Sequence, residues 1–215
     1  DDLDFQYLKM DFDSLMVKYG LKKERSYDKY SFWLNKWGIQ IGLRYIDVVG
    51  IENLDLQLEY NRVRPYMYAH GDTRQNMSHF RQELAHPLGS NFAEGLLNLS
   101  YRFNEKFELK LQTFSAFYGL DSLGTNYGQD IFKNSLYPGI DGYADGYFNI
   151  KVGQGILTKW NMFRLIGSYQ LKHNTFIDLI IAQRNIKSEH ELFNQNAFFI
   201  GVGLRMNSLS FKHDF

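Results

Sequence analysis

Residues 37–45 read Trp-Gly-Ile-Gln-Ile-Gly-Leu-Arg-Tyr. Trp37, Ile39, Ile41, Leu43 and Tyr45 therefore share one side of an extended chain, and Gly38, Gln40, Gly42 and Arg44 the other. A strand places successive side chains on opposite faces, whereas a helix would scatter this set around its circumference. The next run repeats the pattern, with Leu54, Leu56, Leu58 and Tyr60 against Asp55, Gln57, Glu59 and Asn61. Leu97, Leu99, Tyr101 and Phe103, then Phe107, Leu109 and Leu111, continue it. Further strands are expected at 161–171, 175–182, where both faces carry apolar residues, and 198–206. A weaker one at 3–12 brings the count to eight.

The connections sort by length. Gly50–Asn53, Asn104–Lys106 and Lys172–Asn174 are tight, while about 14–36, 65–91, 119–156 and 188–196 are long, and the two kinds alternate. In an up-and-down sheet every long segment then falls at one end and every tight turn at the other. That is the arrangement of outer-membrane barrels, with short periplasmic turns and long extracellular loops. The expected fold is all-β: an antiparallel up-and-down transmembrane outer-membrane β-barrel. Its apolar face meets lipid, its polar face lines the interior, and Trp37, Trp160 and several Tyr form an aromatic girdle. The competing reading is a soluble antiparallel sheet with one wet face.

Composition agrees with strands and removes several functions. Aromatic residues make up 17% of the 215 residues, with 18 Gly and 3 Pro, which favours strands over helices. No apolar run is long enough for a transmembrane helix, a test that does not apply to barrel strands. The 24 basic residues balance 24 acidic ones, so no basic face for nucleic acid is expected. The absence of Cys excludes disulfides, thiolate metal sites and a Cys nucleophile. The polar face is expected to hold Arg44, Glu59, Arg62, Arg64, Arg102 and Lys110. These are bulky charges for an eight-stranded lumen, which side chains alone fill. With the abrupt start at Asp1-Asp2, this makes residues 1–215 the expected C-terminal part of a longer barrel.

Six stretches narrow the reading further. They are Leu58-Glu59-Tyr60-Asn61-Arg62-Val63-Arg64-Pro65-Tyr66-Met67-Tyr68, Leu84-Ala85-His86-Pro87-Leu88-Gly89-Ser90-Asn91-Phe92, Trp33-Leu34-Asn35-Lys36-Trp37-Gly38, Gly124-Thr125-Asn126-Tyr127-Gly128, Tyr169-Gln170-Leu171-Lys172-His173-Asn174 and the closing Asp214-Phe215. Together they resemble the gliding motility protein RemB-like group of Bacteroidota, which is similar to the Wzi-like capsule assembly outer-membrane proteins. The resemblance implies a barrel of about eighteen strands, of which this chain supplies roughly the second half. It also implies contact with capsular polysaccharide or a part in surface motility, and it carries over no catalytic residue. Segment 13–32 diverges from the group.

The 65–91 loop concentrates polar and aromatic groups. Arg62, Arg64, Tyr66, Tyr68, His70, Arg81 and His86 are the candidate polysaccharide contacts. Planar polar side chains bond adjacent sugar hydroxyls, aromatic faces cover the apolar side of the ring, and Arg suits anionic sugars. The competing reading folds this loop inward as a plug, pairing Arg62 and Arg64 with Glu59 or Glu83. No metal site is expected, because His70, His79 and His86 are spaced by nine and seven residues and match no ligand pattern. No catalytic residue is expected either: adjacent Ser78 and His79 point apart in extended chain, and no Gly-x-Ser-x-Gly elbow occurs. Gly153-Gln154-Gly155 lacks the third glycine and the helix of a dinucleotide fingerprint, so no cofactor is expected. The 119–156 segment mixes acids, Tyr and Gly without a calcium-loop pattern. The expected function is a non-enzymatic barrel engaging surface polysaccharide or supporting gliding and adhesion. The alternatives are a structural subunit docked on an envelope secretion or gliding complex and, behind it, an outer-membrane hydrolase.

Overall fold

A computed structural model describes residues 31–80, 82–122, 124–135 and 149–206. Seven long strands form one antiparallel sheet: β1 (Gly38–Tyr45), β2 (Leu54–Val63), β5 (Phe92–Arg102), β6 (Phe107–Leu120), β7 (Ile156–Lys172), β8 (Thr175–Ser188) and β9 (Gln195–Met206), in that spatial order. Two short strands, β3 (Ser78–His79) and β4 (Gln82–Glu83), make a hairpin inside the first long connection. Every neighbour in the sheet is a neighbour in sequence, so the sheet is a plain meander. All seven expected strands in the described residues are present; the one at 3–12 lies outside them. β1 and β9 are the sheet edges, and no pairing between them closes a barrel.

The tight turns have local causes. Asn104 Oδ1 accepts the N–H groups of Lys106 at 2.9 Å and Phe107 at 3.0 Å, closing an Asx turn between β5 and β6. Lys172 pairs with Thr175, so β7 and β8 are joined through two residues, with Asn174 in the left-handed region. The sorting of connections is less strict than expected. The β8–β9 link has six residues, 189–194, and the β1–β2 link eight, 46–53. Asp47 organises that longer turn by accepting the Asn53 N–H at 2.7 Å. The two long connections, 64–91 and 121–155, do lie at one end of the sheet. That end is called the loop end below, and the other the turn end.

Register separates the faces. Ile39, Ile41, Leu43 and Tyr45 stand opposite Arg62, Tyr60, Leu58 and Leu56. The same face continues through Leu97, Leu99, Leu109, Leu111, Phe163 and Leu165 to Ile177, Leu179 and Ile181, and then to Phe198, Ile200, Val202, Leu204 and Met206. Its turn-end border is aromatic: Phe103 contacts both Tyr101 and Phe107, and Tyr169 pairs with Phe107. Its loop-end border is polar, with Ser115 donating to Asn161 at 2.8 Å and Lys159 paired to Lys187.

The opposite face carries Gln57, Glu59, Glu94, Asn98, Glu108, Lys110, Gln112, Arg164, Asp178 and Arg205. Two expectations are corrected by this register. Arg62 follows the parity of Leu58 and Tyr60 and is exposed on the apolar face at its polar border, not on the interior face. Trp160 belongs to the polar face, where it packs against Phe114 at 4.8 Å, so it is no part of a girdle.

Candidate functional site

The loop end is where the two long connections meet, and their contact is polar and buried. Asn91, at the mouth of β5, is fully buried in the left-handed region, where Asn is enriched among non-glycine residues. Its Nδ2 donates to the carbonyls of Gly119 at 3.0 Å and Gln154 at 2.8 Å, and its Oδ1 accepts the Gly153 N–H at 2.7 Å. One side chain thus ties β5, β6 and the approach to β7 together. A Cβ on Gly119 would sit 1.7 Å from the Gln154 carbonyl oxygen, so only glycine permits this approach.

Further links repeat the theme. Ser90 Oγ donates to the Gly128 carbonyl, Asn76 Nδ2 to that of Ile131, and the Ser135 N–H to that of His70. Buried backbone groups must be satisfied, and this loop satisfies them across segments rather than in ladders.

The sequence-chosen residues meet different fates here. Arg64 is buried, donating to the Phe32 carbonyl at 3.3 Å with its guanidinium 5.9 Å from the Trp37 ring. Tyr66 is 1% exposed. Its ring packs edge-on to Trp33 at 6.1 Å, its hydroxyl donates to the Asn126 carbonyl, and its N–H donates to the Gly128 carbonyl at 2.9 Å. Tyr68 is half-buried, and burial raises the pKa of its phenol. The backbone N–H of His70 donates to Asn76 Oδ1. Arg62 stands apart on the other face, and Arg81 lies outside the described residues. Arg64, Tyr66 and His70 therefore sit in one cap as building parts.

His86 is the most chemically defined member. Its Nδ1 accepts the Leu88 N–H at 3.1 Å, which leaves the ring proton on Nε2, 2.8 Å from Glu94 Oε1. The ring stacks on Phe92 at 4.3 Å, and Glu94 Oε1 also accepts from Asn61 at 2.7 Å. Both imidazole nitrogens are engaged, so this His–carboxylate pair pins the loop to the polar face. The inward-folded reading pictured Arg62 and Arg64 on Glu59 or Glu83; the pin found is His86 on Glu94.

Two features went unread in the sequence. The β3–β4 hairpin carries Phe80, 88% exposed and with a backbone φ of 48°. Nearby on the same connection, Arg74 forks onto Asp72 in water and lowers the pKa of that carboxyl. At the turn end of the polar face, a cleft of about 610 Å³ is lined by Arg102, Glu108, Gln170 and Arg205 among others. There Arg205 holds Asp178 at 2.8 Å and lies over the Phe176 ring at 4.4 Å. Among the described residues no group of three or more His, Asp or Glu stands in a metal-holding arrangement. Protein-family models, curated proteins and solved structures were each searched with this chain, and none matches it.

Proposed function

We propose that this chain is a stretch of the wall of an outer-membrane β-barrel. In this reading its long connections face outward and engage surface polysaccharide, and it catalyses no reaction. The observation that carries it is the apolar face, which runs unbroken across seven strands to both sheet edges and is widely exposed, from Ile41 and Leu43 to Val202 and Met206. A soluble monomer rarely leaves more than a few hundred Å² of contiguous apolar surface in water. On β9 the band from Phe198 to Met206 extends about 26 Å along the strand, or about 20 Å after a barrel tilt of about 40°. That approaches the roughly 25 Å apolar belt of such barrels.

The edges sharpen the proposal. An unpaired backbone group costs several kcal/mol in hydrocarbon, so a lipid-facing sheet requires a partner along β1 and along β9. Both edge strands run from the loop end to the turn end, which follows from the odd count of strands in a meander. They cannot pair antiparallel with each other, nor with a second copy in the same orientation. An up-and-down barrel closes around this sheet only with an odd number of further strands, antiparallel to each edge.

The glycan part rests on the resemblance and on a loop end rich in aromatic and planar polar groups. The non-catalytic part rests on the resemblance, which carries over no catalytic residue. The test is electrophoretic mobility of the membrane-extracted protein with and without boiling, followed by binding to polysaccharide purified from the surface of the producing cells. A faster unboiled band and measurable binding support the proposal. A protein that is soluble without detergent and shows no shift refutes it.

A further inference from the structure

The geometry points to the β3–β4 hairpin as a sugar-stacking tip, in which the Phe80 ring, braced by His79, takes the apolar face of one pyranose of the polysaccharide. This rests on the glycan reading above and moves the contact away from Arg64 and Tyr66, which the cap has used. Three observations carry it. First, Ser78 pairs with Glu83 and His79 with Gln82, so Phe80 opens the short link between the two strands. Two-residue hairpin turns with positive φ favour Asn or Gly, yet this one places a bulky aromatic at φ 48°. Strain held at a surface position, on a residue 88% exposed, marks a site kept for contact rather than folding.

Second, Phe80 is the most exposed large hydrophobic residue among those described, and His79 supports its ring at 4.2 Å in an edge arrangement. Third, the hairpin is moored. The Met77 N–H donates to the Tyr68 carbonyl at 3.0 Å, Asn76 is held by Ile131 and His70, and the Leu84 N–H closes the base of the hairpin on the Met77 carbonyl at 3.1 Å. An isolated two-stranded hairpin would be marginal; this one is fixed at its base, so the ring is presented with little ordering left to do on binding.

The surroundings select the ligand class. A protein hot spot sits within a patch that excludes water, whereas Ser78, His79, Gln82 and Glu83 surround Phe80 with polar groups. Met77 and Leu84, 44% and 62% exposed, lie farther down the hairpin, beyond the Ser78–Glu83 pair. One ring face with planar hydrogen-bonding neighbours is what a saturated sugar ring needs, since its C–H face is apolar and its rim is hydroxyls.

The experiment measures binding of the full-length, detergent-extracted protein to polysaccharide purified from the producing cells, by biolayer interferometry. Phe80→Ala and Phe80→Gly weaken binding at least tenfold. Phe80→Trp stays within threefold of wild type and adds an emission that shifts to the blue as polysaccharide is titrated. Glycine accepts the turn geometry without strain, so Phe80→Gly keeps the heat-shifted band of the folded protein and separates lost contact from lost fold. If wild type binds and Phe80→Gly binds within twofold of it, the tip assignment is overturned while the glycan reading stands. If wild type binds no such polysaccharide, the glycan reading falls and takes the tip with it. If Phe80→Gly keeps polysaccharide affinity but loses a co-purifying envelope protein, the tip is a protein contact and the assignment is overturned.

Discussion

Replacing Asn91 by Ala removes three hydrogen bonds at once: two donated to the Gly119 and Gln154 carbonyls and one accepted from the Gly153 N–H, all between 2.7 and 3.0 Å. Each is worth about 1 kcal/mol net, and Ala in the left-handed region adds about 1 kcal/mol. The clasp should therefore loosen by about 4 kcal/mol, or by about 3 kcal/mol for Asn91→Gly, which tolerates the φ of 64°. At 1.4 kcal/mol per decade, protection of the Gly153 amide should fall by roughly 100- to 1,000-fold. Native-state hydrogen exchange reads this directly, because it reports local opening separately from global unfolding. Asn91→Asp should be no better than Ala, since it aims a second carboxylate oxygen at two carbonyl oxygens. The mid-strand amides of β8, far from the clasp, should keep their protection. A change of less than threefold at Gly153 in Asn91→Ala would refute the clasp.

Gly128→Ala places a Cβ 2.6 Å from the Tyr66 amide nitrogen at a φ of +82°; overpacking and strain together cost about 3 kcal/mol, to be seen as faster proteolytic nicking of the two long connections. Leu179→Lys on the apolar face should cost about 2–4 kcal/mol in lipid, measured as a lower denaturant midpoint in vesicles. Gly203→Ser on the polar face, where a Cβ meets nothing within 4 Å, should change it by less than about 0.5 kcal/mol; equal effects of the two would sink the lipid-face assignment. Trp160→Phe deletes a buried Nε1–H that has no acceptor among the described residues, so it should cost less than about 1 kcal/mol on the same midpoint, and a loss of several would reveal a partner for that nitrogen.

Period-two alternation reads strands well when only one face is apolar, and that is why β1, β2 and the middle of β9 were legible residue by residue. It fails at the loop end. β5 begins at Phe92 rather than near 97, and β6 runs to Leu120 rather than 112. There the polar face stops being polar: Phe92, Phe114, Tyr118 and Leu120 pack inward, while Ser115 and Asn161 stand on the other side. The inversion marks the change from a two-sided wall to a capped one. Arg62 differs from its expected face for a simpler reason: its charge suits a polar interior, but its parity does not. Counting from Leu58 and Tyr60 puts Arg62 on the apolar face. The tight turn expected at Gly50–Asn53 is part of a longer link, 46–53, in which Asp47 and Val49 also take positive φ.

A loop rich in Arg, Tyr, His and Asn invites a ligand-binding reading, yet the same residues are what a buried irregular segment needs for itself. Without strand partners, each carbonyl and N–H at the loop end must find a side chain or another loop. Ser90, Asn91, Asn76, Arg64 and Tyr66 supply those bonds and are buried in doing so. A side chain committed in this way can meet a ligand only by giving up a bond whose loss leaves a buried group unsatisfied, at about 1–3 kcal/mol. Residues available for recognition are therefore those that folding does not use, and their signature is exposure without internal partners, or strain without local benefit. Composition cannot make that distinction, because Tyr66 and Phe80 look equally inviting in a sequence. Backbone geometry can: both residues take positive φ, but Tyr66 does so beneath Trp33 and Gly128, and Phe80 does so in water.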